Sequence, residues 1–431
     1  MDTTQRDAGL LRAVGPGTLA LSTICNVVGA GIFAVPGALA ASVGPYAPLA
    51  LLACALAVGA VAICFAEGGS RVASSGGTYG YVAAAFGPLA GCVAGTLAWF
   101  GNILACGGVA AALADVAVNL VPGPFKAPTQ VLVIVGVISG IAWVNVGGVV
   151  RGMRLVNAAT LLKLFPLAIF VIVGAGAIHG DNFAQSVELS TTGLGRALIL
   201  ALFAFTGMET SLAASGEVAQ PARTIPRALA LAMVVVTLLY IAIQVVAQGI
   251  LGPSLAGSTV PLADAMGRIS PALRLLMLAG AAVSMFGLMS IELLGGPRIL
   301  FAFARDGLLP SPLGRVHERS HAPHVAIICH ALIAVVLALT GTFAELAVLS
   351  TLAVAPLYAG GSIAAWLLAR RGVAEAGTPL NFRWLGPAMI AAVVGMLALI
   401  ALATRAEIIG LLAVITASVV AYLLLKGRVS P

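Results

Sequence analysis

The stretch NVVGAGIFAVPG, Asn26 to Gly37, decides the fold. It sits in an apolar run that begins near Leu19 and is long enough to cross a bilayer. Gly29, Gly31 and Pro36 fall where such a helix should be most regular. Lipid offers the backbone no hydrogen bonds, so a break at membrane depth must face protein or a water-filled cavity. Beyond the break a second half-helix begins, with N–H groups and the positive end of its dipole in mid-membrane. That end suits a carboxylate, and glycine lets a ligand approach the backbone closely. The competing reading is a face of small residues for helix packing.

The rest of the chain agrees with a membrane setting. Its 431 residues are 61% hydrophobic and 9% charged, with a mean hydropathy of +1.10. Apolar runs recur near 17–40, 46–66, 89–119, 130–147, 155–178, 196–217, 227–250, 272–304, 325–343, 345–368, 385–403 and 408–426. They are continuous rather than alternating, which selects helices over barrel strands. The expected fold class is therefore an all-α integral membrane protein with about twelve transmembrane helices and no interrupting soluble domain. The run 89–119 is long enough to be tilted.

The net charge of +7 does not point to nucleic acid, because the basic residues are scattered through short loops. An even span count puts both termini on one side, and sixteen of the 22 Lys+Arg lie there, Arg71, Arg298, Arg305 and Arg315 among them. Lys126, Arg196, Arg268, Arg274 and Arg405 fall on the other side and Lys163 within a span. Lysine and arginine accumulate on the cytoplasmic side, so both termini are expected to be cytoplasmic. The cysteines at 25, 54, 64, 92, 106 and 329 all sit in apolar segments without a CxxC pair and read as small core residues. The N-terminal stretch lacks a short apolar region followed by a cleavage site, so the first span is expected to remain in the mature protein. With no Walker loop, ATP is not expected as the energy source, and no nucleophile–base pair suggests an enzyme.

A second interruption occurs in ALFAFTGMETSLAASGEV, residues 201–218, where Gly207 stands beside Glu209. This stretch opens the sixth span, the equivalent of the first if ten helices form two five-helix repeats of opposite orientation. Paired interruptions in matching spans mark a transporter site. The half-helix that ends near Phe205 and Thr206 would offer free carbonyls to an ammonium group. Together with the Gly29–Gly31 amides, that describes a site for an α-amino acid.

Four stretches carry a family resemblance: GAGIFAVPG in the first span, SGGTYGYVAAAFGPLAG (75–91) entering the third, FAFTGMET (203–210) with EVAQPARTIPRA (217–228), and RILFAFARDGLLP (298–310) leaving the eighth. The chain resembles the amino acid–polyamine–organocation superfamily of secondary transporters, including its bacterial arginine/agmatine antiporter branch. The resemblance implies a LeuT-type fold with alternating access. A cytoplasmic N-terminus (1–16) would precede five-helix repeats over 17–178 and 196–368, with two additional helices over 385–426. The implied function is amino acid uptake or exchange, proton-coupled or by antiport and reaching cationic substrates, in a bacterial inner membrane. Alternatives are an arginine/agmatine-type antiporter serving acid resistance, or a channel. The expected partners are an amino acid or amine, protons, the lipid bilayer and a second copy of the chain; no cofactor or metal is expected.

The resemblance also assigns residues. Val28, Gly29, Ala30, Gly31, Thr206 and Gly207 would form the substrate site, under Phe203 as an aromatic gate. Lys163, mid-span in NAATLLKLFPLAIF, would contact the broken part of the first span, carrying the coupling proton or acting as a fixed cation that stabilises the fold; in either role its charge would disfavour sodium. Glu209 would help gating and proton response, or simply cap freed amides. Asn102, in LAWFGNIL, matches an asparagine that touches the distal end of the substrate. Glu292 stands where some relatives have an aromatic residue, and would attract a cationic side chain, neutralise Lys163, or tie helices together. Asp115 reads as interfacial. Glu67 with Arg71, and Glu217 with Arg223, read either as an inner-gate lock or as solvated rim pairs. His317, His321 and His324 in HERSHAPH have loose metal-ligand spacing without a further ligand.

Overall fold

A computed structural model describes residues 15–72, 77–147, 163–184, 189–209, 218, 220–305, 307–320, 322–375 and 377–425. Its architecture is all-helical. The first elements are α1 (Pro16–Val27), α2 (Gly31–Val43), α3 (Ala47–Arg71), α4 (Gly77–Phe86) and α5 (Pro88–Val118). Next come α6 (Lys126–Val146), α7 (Leu164–Gly174), α8 (Thr191–Phe205), α9 (Pro221–Leu251) and the short α10 (Pro261–Gly267). The chain closes with α11 (Pro271–Arg305), α12 (His324–Thr340), α13 (Phe343–Arg370), α14 (Leu385–Ala401) and α15 (Arg405–Leu425).

Local chemistry sets the ends. Proline in the first turn, where its missing N–H is not needed, starts α1, α3, α5 and α9. Ser190 Oγ accepts from Gly193 N–H to start α8. At the start of α13, Thr342 and Glu345 form a reciprocal capping box.

Seven segments among the described residues are long and apolar enough to cross a membrane, and four shorter apolar helices accompany them. The first segment, Gly31–Arg71, holds two helices that meet at Gly44–Tyr46. The expected span over 155–178 is described only from Lys163 onward. The expected span over 196–217 is shorter than anticipated: α8 stops at Phe205, and residues 210–217 lie outside the described set.

Burial sorts the helices into a centre and a periphery. Helices α5 and α13 are 78% buried across their most apolar windows, whereas α15 is 6% buried. The two central helices pack on each other, with α11 against α5 and α9 against α3. The outer faces expose Leu132, Trp143, Ile172 and Leu424 at 73–78%. So continuous an apolar rim needs lipid rather than water around it.

Candidate functional site

Both sequence interruptions are breaks in the structure, and they touch. Helix α1 ends at Val27 and α2 begins at Gly31. Helix α8 ends at Phe205, Thr206 is extended, and Gly207 takes φ 111°, which side-chain-bearing residues rarely adopt. A Cβ on Gly207 would lie 2.7 Å from the Asn26 carbonyl oxygen. A Cβ on Gly31 would lie 3.4 Å from the Ala204 Cα. Glycine at these two positions brings one broken helix against the other.

The freed backbone groups are only partly free. Gly29 N–H, expected to face a ligand, instead donates to Val27 O at 2.7 Å across a tight turn. The helix start is therefore left to the Gly31 and Ile32 amides, which have no intrahelical acceptor. On the α8 side, Phe203 O accepts from the Thr206 hydroxyl at 2.8 Å. The Tyr240 hydroxyl, on α9, lies 2.7 Å from Val27 O and 3.0 Å from Ala204 O, and so bridges the two breaks. A carbonyl has two lone pairs; Val27 O and Phe203 O each already accept from two donors, so of these three oxygens Ala204 O keeps one to share with an ammonium group. Ser284 Oγ donates to Gly29 O at 3.0 Å and ties α11 to the first break. Tyr240 and Ser284 escaped the sequence reading. Their signal is a polar tip inside an otherwise apolar run.

A cavity of about 560 Å³ opens beside the breaks. Gly29, Gly31, Asn102, Phe203, Thr206, Gly207, Glu209 and Glu292 line it; Val28, Ala30 and Lys163 do not. Val28 and Ala30 are fully buried within the turn, and Lys163 is 1% exposed just before α7. The cavity meets Phe203, whose ring stacks edge-on against Phe343 with centroids 5.6 Å apart. From there it runs past Gly95 and Ala98, near the start of α5, and Phe303, near the end of α11. The two helices run in opposite directions here, so these residues mark one and the same side.

Three charged side chains stand on its wall. Glu209 accepts from Gly207 N–H at 3.0 Å and from the Tyr358 hydroxyl, so it caps the second break while lining the cavity. Glu292 accepts from the Asn102 side-chain amide, which joins α11 to α5. Arg298, grouped with the cytoplasmic basic residues on sequence, is a cavity-lining residue within α11. Behind Asn102, Trp99 donates to His330 Nδ1 at 3.2 Å, adding α12 to this wall.

Away from the cavity, Glu67 and Arg71 form a buried pair at 2.8 Å and not a solvated rim. Glu67 also accepts from Phe382 N–H at 2.9 Å, and Arg71 donates to Val373 O at 3.0 Å and to Asn381 Oδ1 at 2.6 Å. This clasp holds the α13–α14 connection to the end of α3. Glu217 and His321 lie outside the described residues. His317 Nδ1 accepts from the amides of Arg319 and Ser320, each at 3.3 Å, which makes that motif a local turn. Asp115 is half-buried near the end of α5. Cys54, Cys64, Cys92, Cys106 and Cys329 are free thiols.

Comparison with known proteins gives this architecture a family. An uncharacterized transporter of Mycobacterium tuberculosis strain H37Rv is 33% identical over 334 residues, 75% of this chain and 71% of the relative. The branched-chain amino acid permease BcaP of Bacillus subtilis is 26% identical over 350 residues, covering 75% and 73%. A methylthioribose transporter of the same organism is 26% identical over 339 residues, covering 74% and 72%. Multi-pass helices around a mid-chain cavity and these relatives describe a membrane transporter of small solutes, not an enzyme. With residues 15–427 matching its profile, the chain belongs to the amino acid permease family.

Proposed function

We propose that the chain is a secondary-active amino acid permease that holds its substrate between the two breaks and works by alternating access. The observation that carries this is the single cavity on which Gly29, Gly31, Phe203, Thr206 and Gly207 converge. The start of α2 receives the carboxylate and the end of α8 the ammonium group. The cavity runs from the breaks toward Phe303, on the basic side of the molecule, and this supports a path to the cytoplasm.

Several features support the finer reading. Counting Gly31–Arg71 as two spans, with α1 continuing the first, and adding the four shorter apolar helices gives twelve. The breaks then fall in spans one and six, as two inverted five-helix repeats require. Coupling is to protons or by exchange, with Lys163 and Glu209 as the buried groups that respond. A second reading, exchange of cationic amino acids and their amines as in the arginine/agmatine branch, is favoured by the Glu292–Asn102 pair on the cavity wall.

A thermal-shift screen of purified protein against the twenty amino acids, common amines and methylthioribose tests the substrate class, because a ligand stabilises the state it binds. The reading expects stabilisation by amino acids and saturable uptake into liposomes that internal substrate accelerates. Unsaturable ohmic current would make the protein a channel instead.

A further inference from the structure

Arg298 is the one cation lining the cavity among the described residues, and the proposed function leaves it without a task. Its Nη1 and Nη2 atoms are buried, and neither has a hydrogen-bond partner among the described residues. The carboxylates on the same wall are engaged elsewhere, Glu209 with Gly207 and Tyr358 and Glu292 with Asn102. A guanidinium taken out of water without an acceptor is strongly unfavourable, so its surroundings favour an anion. Its terminal nitrogens form a planar fork that matches the two oxygens of a carboxylate.

Position separates this point from the breaks. A Cβ on Gly29 would lie 3.2 Å from Leu288, which fixes the level of the first break on α11. Arg298 is ten residues further along, or about 15 Å at the helical rise. Helical side chains lean toward their own N-terminus, so the guanidinium reaches back toward the break. An α-amino acid with an apolar or basic side chain carries a single carboxylate, which cannot hold the start of α2 and Arg298 together.

We propose that Arg298 is a second carboxylate site, occupied as an amino acid passes between the breaks and the Phe303 end of the cavity. This rests on the proposed function and sharpens it: passage through this end selects solutes that bear a carboxylate. An amine lacking one, or an uncharged sugar, gains nothing from the step.

The test uses the full chain in liposomes sorted for one orientation, with labelled L-leucine or L-arginine offered at either face. In Arg298→Gln, KM at the Phe303-side face rises tenfold or more while KM at the opposite face changes less than twofold. Arg298→Lys recovers part of the loss. At the Phe303-side face, 4-methylpentanoate, which is leucine without its amino group, inhibits the wild type and not Arg298→Gln, whereas 3-methylbutylamine inhibits neither. Arg298→Gln melts no lower than the wild type when no ligand is present. Equal KM at both faces, or 4-methylpentanoate inhibition that survives the substitution, overturns the proposal alone. So does a melting point lowered by several degrees, which would assign Arg298 to the fold. No flux of either amino acid by the wild type overturns the parent reading and this one with it.

Discussion

Gly207 shows how much of this site depends on one missing side chain. Its φ of 111° and its contact with the Asn26 backbone leave no place for a methyl group. Gly207→Ala should force the breaks apart and cut uptake at least tenfold, since the conformation alone costs about 1–2 kcal/mol outside glycine. Wild-type uptake by Gly207→Ala would show that the close approach is dispensable. Glu292 makes a different prediction. If it faces the distal end of the substrate, Glu292→Gln should weaken competition by arginine and lysine about tenfold, roughly the worth of one charge-assisted hydrogen bond, and leave leucine nearly unchanged. Equal losses for both classes would reduce it to a helix tie through Asn102.

At the scale of elements, the arrangement joins broken helices to unbroken ones. Tyr240 on α9 reaches the last turns of both α1 and α8 through one hydroxyl. Tyr240→Phe removes the one hydroxyl that Val27 O and Ala204 O share; Val27 O keeps the Gly29 amide and Ala204 O loses its donor, so the change should lower stability by about 1–3 kcal/mol and slow transport. An unaltered melting curve with normal transport would mean that other donors hold the breaks. The breaks themselves were legible in the sequence, because glycine interrupting an apolar run is visible without coordinates. The clamps were not, because a single tyrosine or serine within a span carries no mark of what it will meet from a distant helix. The same limit hid the setting of Arg298: counting along the chain gave its side of the membrane but not the cavity it lines. The Gly29 amide was misread for a local reason, since a tight turn can satisfy an N–H two residues back.

Across the whole molecule, hydropathy was enough to indicate a multi-pass helical protein, and basic-residue asymmetry suggests its orientation. Which helices form the centre had to come from packing, as α5 and α13 are no more apolar than the peripheral α15. Coupling also belongs to this scale. Lys163 is buried and does not line the cavity, so any influence on the substrate passes through the surrounding fold. Lys163→Ala should flatten the pH dependence of uptake while exchange persists; a preserved pH profile would remove it from the proton path.

The central claim is that two touching breaks make one pocket for an amino acid. A density map of the protein in lipid nanodiscs, saturated with the amino acid that stabilises it most, tests this directly. The account predicts ligand density with its carboxylate at the Gly31 and Ile32 amides and its ammonium near the Phe203–Thr206 carbonyls. Helices running unbroken through both regions, or a saturated protein with that pocket empty, would contradict it.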